Sequence, residues 1–207
     1  MTDDPLRARM LSAHHLEYST LVNEQGDVLV FAGSYKNVPI ALISTGFGNS
    51  AVLSCMHEVT RLGAAEVIYI GGCVSTIGGP TTGQSATDRI ALRSVILAAG
   101  GSKNLLNRAY RAAQQYAIPV TAQPVLHPGC AHPEEGCIID EITAALYEQA
   151  RSDNIEALSI LTVSENAKTG EKMEEHEKRS RHNAAARLVF ETLASINFDN
   201  QHDLRSC

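Results

Sequence analysis

The 207-residue chain has no tryptophan, only four phenylalanines and no run of basic residues. Seventeen Lys and Arg stand against 23 Asp and Glu, a formal charge of −6. Nucleic acids and anionic membrane surfaces are held by clustered positive charge, so neither is an expected partner, and small molecules and other proteins remain. The five cysteines, Cys55, Cys73, Cys130, Cys137 and Cys207, form an odd set without a CxxC pair. That argues against a disulfide framework or a four-cysteine zinc site and for a reducing compartment. The opening MTDDPLRARM holds no apolar stretch of the kind a secretory signal needs, and no window approaches the length of a membrane span. A cytoplasmic protein is expected.

What the chain does have is a regular alternation of short apolar runs and amphipathic stretches. Runs with strand length and β-branched content fall at 28–31, 38–44, 66–71, 94–99, 120–125, 136–139 and 157–163. Helical spacing predicts helices over 49–62, 104–116 and 140–151, and a longer one over 172–195. Strands alternating with helices imply a mostly parallel sheet between helical layers, and the length suits one domain over 1–196 followed by a poorly ordered tail over 197–207.

Three stretches draw attention for chemistry. The run SILTVSENAKTGEK turns polar at Ser164, Glu165 and Asn166. Either a strand merely ends there, or the carboxylate serves a site at the C-terminal edge of the sheet. The glycine-rich stretch from Gly71 to Gly83 follows a strand, as phosphate-cradling loops do, but matches neither GxGxxG nor GxxxxGK[ST]. In LHPGCAHPEEGC, the ligand types His127, Cys130, His132 and Cys137 have an H-x2-C-x-H-x4-C spacing that fits no common zinc site, and the prolines mark a loop. No metal is expected. Glu174, Glu175, Glu177, Lys178, Arg179 and Arg181 read as a solvated helix face.

Taken in order, Asp4-Pro5-Leu6-Arg7-Ala8-Arg9, Phe31-Ala32-Gly33-Ser34-Tyr35-Lys36, Ser44-Thr45-Gly46-Phe47-Gly48-Asn49-Ser50, Ile70-Gly71-Gly72-Cys73, Ala144-Ala145-Leu146-Tyr147 and Leu158-Ser159-Ile160-Leu161-Thr162-Val163-Ser164 resemble a known pattern. It is that of the nucleoside phosphorylase and nucleosidase superfamily, of the purine nucleoside phosphorylase and uridine phosphorylase type, here in a divergent form. The resemblance implies a three-layer α/β/α sandwich around a mixed, partly closed sheet. It implies sites at strand ends shared between subunits of a homo-oligomer, a dimer or trimer of dimers. The implied chemistry is cleavage of a nucleoside N-glycosidic bond by phosphate or water, with no cofactor beyond phosphate as co-substrate. A second implied possibility is a catalytically impaired member that binds a nucleoside or base as a regulatory subunit, in a hetero-oligomer with an active paralogue.

The resemblance also distributes roles. Glu165 stands where the relatives keep a proton-donating aspartate, and Lys178 where they keep the arginine paired with it. Arg7 matches a phosphate-binding arginine, but Asp3 replaces the accompanying glycine. Tyr69 and Gly72 replace a second arginine and a serine of the anion site, Gly72 keeping its backbone as an anion contact, and no arginine stands near Gln25-Gly26-Asp27, where a third is expected. Gly46, Phe47, Cys73, Cys130 and Ser164 fall at nucleoside-lining positions. Gly46 and Gly48 equally suit a tight strand-to-helix turn, and Phe47 equally suits a core aromatic. The ribose-gripping glutamate aligns with Ile142, or with Glu141 if one residue is inserted. About ten extra residues lie within 76–90, and a segment that covers the base and sugar in the relatives is absent between Ala99 and Asn104, which predicts a more open pocket.

Overall fold

The computed structural model describes residues 1–77, 90–130, 137–174 and 183–195. Lys178, His132 and the tail lie outside these residues, and so does most of the insertion within 76–90. All seven expected strands form. An antiparallel meander of β1 (Glu17–Gln25), β2 (Val28–Tyr35) and β3 (Val38–Ile43) opens the fold. Its second turn places Lys36 and Asn37 at φ +50° and +64°, the left-handed pair that matches the twist of a two-residue hairpin. A six-stranded mixed sheet follows: β4 (Glu66–Ser75), β5 (Val95–Ala98), β6 (Val120–Gln123), β7 (Val125–Leu126), β8 (Ile138–Ile139) and β9 (Glu156–Asn166), in the order β6-β5-β9-β4-β8-β7. β4 and β9 run parallel at its centre, and their residues are buried nearly throughout.

Helices cover the strands on both sides. The amphipathic stretches form α2 (Asn49–Arg61), α3 (Lys103–Gln115) and α4 (Ile142–Asp153). A first core cluster joins Leu11, Leu105, Ala109 and Phe190 to Ile68, Leu97 and Ile160, and a second joins Val52, Met56, Ile142 and Leu146 to Val67, Ile96 and Leu161. Burial of these side chains, at about 25 cal/mol per Å² of apolar surface, is the main term holding the layers together. The architecture is the α/β/α sandwich with a mixed central sheet. Among the described residues no helix is long and apolar enough to cross a membrane.

Two elements escape a periodicity reading, and one does not begin where expected. β1 is exposed at every position, because EYSTLVNEQ carries no apolar face and is held by its backbone ladder to β2. α1 (Pro5–His15) forms where the spacing predicts no helix: Asp4 caps it by accepting from the Leu6 amide at 2.8 Å, and Pro5 occupies the first turn. The helix expected over 172–195 does not begin at Lys172, which is drawn into a bridge with Glu165; its described part is α5 (Asn183–Ala194).

Two buried charged groups fasten α5. Arg108 reaches from α3 to the helix-end carbonyls of Thr192 at 2.7 Å and Leu193 at 3.3 Å, while its Nη1 meets Glu66 at 2.5 Å. Glu191 accepts from Tyr35 at 2.8 Å and from Lys36 at 2.6 Å, clasping the β2–β3 hairpin to the helix. Burial alone would raise the Glu191 carboxyl, but the hydrogen bonds from Lys36 and Tyr35 outweigh it and hold the group below the ordinary glutamate value. Burial and the bond to Glu191 push the Tyr35 hydroxyl up to about 12. A depressed carboxyl stabilises the fold above its unfolded pKa and loses that contribution as pH falls through the folded one. Glu191→Gln is therefore expected to cost about 1–2 kcal/mol at neutral pH, moderated by the half-exposed Lys36. Thermal unfolding across pH should show the gap to wild type closing below the ordinary glutamate range, and a gap of constant size would exclude the charge as its cause.

Candidate functional site

The centre of the site is an irregularity in the pairing of β4 with β9. Register runs evenly through Gly72 with Thr162 and Cys73 with Val163, then jumps to Val74 with Glu165. Ser164 is the extra residue of a β-bulge, the device by which a strand end re-aims its side chains. Its hydroxyl donates to the Cys73 carbonyl at 3.2 Å and lies 3.0 Å from where a Cβ on Gly72 would stand. Gly72 thus keeps clear the space that the Ser164 hydroxyl fills.

β9 does not stop at Ser164. It continues through Glu165 to Asn166, whose side chain accepts from the amides of Lys168 and Thr169 at 3.0 and 3.1 Å and donates to the Ile77 carbonyl at 3.0 Å. Gly170, at φ +72°, completes the reversal, and the returning chain pairs Lys172 with Glu165. Lys172 Nζ lies 2.9 Å from Glu165 Oε1, with the Glu165 side chain 32% exposed. The cation observed beside Glu165 is therefore Lys172, which the sequence reading missed. Its signal was present in the Asn166-to-Gly170 turn, which sets 172 opposite 165.

Arg7 lies on α1 beside the middle of β4. One terminal nitrogen donates to Asp3 at 3.0 Å, to Thr2 at 3.2 Å and to the Ile70 carbonyl at 3.3 Å, while its buried Nε has no partner among the described residues. The Tyr69 ring folds over Gly71, where a Cβ would come within 2.5 Å of it. Burial, then the carboxylates of Asp3 and Asp140, push the Tyr69 hydroxyl far above its ordinary value. Asp140 caps α4, accepting from the Thr143 amide at 2.7 Å and hydroxyl at 2.6 Å. Burial raises its carboxyl, the Thr143 bonds oppose this, and Asp3 adds to it. Burial and Asp140 likewise push up the Cys73 thiol. Asp3, Arg7, Tyr69, Cys73 and Asp140 thus form one electrostatic cluster with an acidic excess. Asp140 is its unforeseen member, although Asp-x-x-Thr before a helix is a readable cap.

The remaining positions divide. Ile142 is 5% exposed and packs with Val52, Met56 and Leu146, whereas Glu141 stands exposed at the start of α4. Gly46 and Gly48, at φ +76° and +91°, are required by the turn into α2. Between them Phe47 is 73% exposed, so it is not the core aromatic that its type suggested: the two left-handed glycines turn it outward. Cys130 ends a short 3-10 turn, Pro128–Cys130. His127 accepts from the Gly129 amide at 3.1 Å, and Cys137 is engaged with the Thr76 hydroxyl at 3.3 Å. Among the described residues no three His, Cys, Asp or Glu side chains gather as a metal site. The shortened junction between Ala99 and Asn104 stands apart from the Glu165 pair. β5 runs antiparallel to β9, and Ser102 bonds the Ala157 carbonyl, so the junction lies at the end of β9 away from Glu165.

The fold recurs among known proteins. No family model matches the chain. It is similar to "Purine nucleoside phosphorylase DeoD-type" of Exiguobacterium sp. strain AT1b, 28% identical over 219 residues, covering 93% of this chain and 91% of that one. The protein of the same name from Bacillus subtilis strain 168 is 28% identical over 198 residues, covering 86% and 85%. That of Aliivibrio salmonicida is 25% identical, covering 95% and 92%. The crystal structure of purine nucleoside phosphorylase from Toxoplasma gondii in complex with immucillin-H superposes with a TM-score of 0.80 over 96% of this chain and 90% of that one, at 16% identity. The chain has the purine nucleoside phosphorylase fold and is similar to these proteins along nearly its whole length.

The raised Asp140 carboxyl carries a stability consequence. An acid whose folded pKa lies above its unfolded one binds the extra proton in the native state, so stability falls as pH rises through that interval. Asp140→Asn keeps an oxygen for the cap and drops the charge. Its melting temperature is expected to rise relative to wild type as pH climbs above the ordinary aspartate range, and to equal it below that range. A variant less stable at neutral pH than in acid, compared with wild type, would contradict this account.

Proposed function

We propose that the protein cleaves the N-glycosidic bond of purine nucleosides, with Glu165 delivering the proton that the departing base takes. The observation that carries the proposal is the Glu165–Lys172 pair at the bulged end of β9, beside the glycine turn of β4, in a chain similar throughout to purine nucleoside phosphorylases. Breaking a C–N bond to a purine puts positive charge on the sugar and negative charge on the base, so an acid within reach of the base lowers the barrier. Glu165 is ordered by a two-stranded return yet remains open to solvent. Lys172 orients the carboxyl group and balances the charge left when its proton has gone. Ser164, re-aimed by the bulge, and Phe47, exposed on its glycine turn, are the groups we assign to the nucleoside.

For the acceptor, we assign Arg7 as the anion contact, weakened by Asp3. An incoming phosphate must displace the Asp3 carboxylate from the guanidinium or share it, a competition between like charges. Base release should therefore depend weakly on phosphate, with water as the competing acceptor. By the same assignment the protein acts as an oligomer of its own copies, as shared sites require.

The test is release of free base from adenosine, inosine and guanosine, with and without phosphate. Release is expected from at least one of them. Glu165→Gln should lower it at least about a hundredfold, and Lys172→Met about tenfold in kcat with KM little changed. Asp3→Gly should lower the phosphate KM about tenfold, the worth of one charge-assisted hydrogen bond. Absence of release from all three nucleosides under both conditions would refute the proposal, and an undiminished rate in Glu165→Gln would remove Glu165 from it.

A further inference from the structure

The Glu165–Lys172 pair depends on a return of the chain that is held by few bonds. Met173 donates its amide to the Ser164 carbonyl at 2.8 Å, and Asn166 donates its own to the Glu171 carbonyl at 2.8 Å. Glu165 and Lys172 lie between these two bonds and exchange none of their own, the antiparallel arrangement in which facing side chains stand closest. Contact at 2.9 Å between Lys172 Nζ and Glu165 Oε1 therefore requires the return to keep its register. The ion pair adds little hold of its own, because the Lys172 side chain is 65% exposed.

One buried amide supplies that hold. Asn166 is 3% exposed, whereas residues 167–172 after it are all exposed. Its Oδ1 accepts from the Lys168 and Thr169 amides, its Nδ2 donates to the Ile77 carbonyl, and its own carbonyl accepts from the Gly170 amide at 2.9 Å. A chain reversal needs only the Oδ1 acceptor, as in any Asx turn. The bond to Ile77 does more, since it fastens the reversal to the chain leaving β4, where the Ala167 amide also reaches the Ser75 carbonyl at 2.9 Å. Only one orientation of the Asn166 amide group makes all three side-chain bonds, two accepted at one end and one donated from the other. Successive side chains of a strand face opposite ways, so Asn166 turns from the side on which Glu165 meets Lys172.

We propose that Asn166 is a positioning residue for the acid: it acts through Lys172, by holding the return in the register that presents Lys172 to Glu165. The proposal rests on the assignment of Glu165 as proton donor. Orientation of a reacting group is felt in the chemical step, so the contribution of Asn166 belongs to kcat and leaves KM little changed. Because Lys172 is the route, the effects of losing Asn166 and of losing Lys172 overlap and do not multiply.

The experiment compares Asn166→Ala, Asn166→Asp, Lys172→Met and the combination of Asn166→Ala with Lys172→Met in the full chain, by base release and by hydrogen exchange. Asn166→Ala is expected to lower kcat about tenfold with KM little changed, and to lower it less than about twofold further when added to Lys172→Met. It should also speed exchange at the Met173 amide, which Asn166 does not touch, at least about tenfold. Asn166→Asp keeps the acceptor and loses the bond to Ile77, so it is expected to melt below wild type, as Asn166→Ala does, yet to recover kcat to within about threefold of wild type. Parallel losses of stability and rate in both variants, a full tenfold further loss in the combined variant, or unchanged exchange at Met173 would each overturn the proposal. If Asn166→Ala does not fold, Gly170→Pro loosens the same return from its exposed tip, since proline cannot take φ +72° and gives up the amide bonded to Asn166, and the same outcomes in kcat and exchange are read. The two assignments fail separately. An undiminished rate in Glu165→Gln, or no release from any nucleoside, removes the acid and this role of Asn166 with it, whereas a lowered rate in Glu165→Gln beside an undiminished kcat in Asn166→Ala removes Asn166 alone.

Discussion

The parallel pairing of β4 with β9 is the constraint on which the rest of the molecule depends. It fixes the centre of the mixed sheet, gives the helices two apolar faces to cover, and sets the register that breaks at Ser164. Had the register run evenly, Ser164 would have paired in the ladder with Val74, and Glu165 would have pointed to the other side of the sheet. One inserted residue therefore decides which side chains meet the glycine turn of β4. The hairpin closed by Asn166 and Gly170 then converts a frayed strand end into an ordered one, because Asn166 satisfies two turn amides and the Ile77 carbonyl together.

At the other end of the site the chemistry is governed by acidic groups held near one guanidinium. Arg7 is buried, which makes an unpaired charge costly, and Asp3 at 3.0 Å offsets that cost from within the chain. Tyr69 occupies a place where a second cation would have balanced Asp3 and Asp140, and its buried hydroxyl cannot. Asp3, Tyr69 and the raised Asp140 carboxyl are thus one coupled arrangement. An arginine in place of Tyr69 would have to fit over Gly71, whose lack of a side chain now serves an aromatic ring.

The fold was largely legible in the sequence because its strands are buried on both faces and read as apolar runs, and because three of the helices carry clear 3-4 spacing. What was illegible had no side-chain periodicity to show. β1 is exposed throughout, and the return strand at Lys172 is a single bridge. For the site, Glu165 and Arg7 stand out by resemblance, but their partners are set by geometry: Lys172 by a turn, Asp3 by the helix spacing of four residues from Arg7. Phe47 shows the limit of reading by residue type. An aromatic residue is usually buried, yet two glycines with left-handed backbone outweigh that tendency. Ile142 shows the opposite, since the core packing that its type suggests is what the fold does with it.

The lacing of the two sheets and the setting of Arg7 are physically one problem. Arg7 hydrogen-bonds to Thr2 and to the Ile70 carbonyl, and Ile70 is also bonded through its amide to Met1. The position of the guanidinium therefore follows the position of a two-residue bridge whose hold on each sheet is two main-chain hydrogen bonds. The setting of the guanidinium and the joining of the two sheets are for that reason coupled through Met1 and Thr2, although neither residue carries a charged side chain.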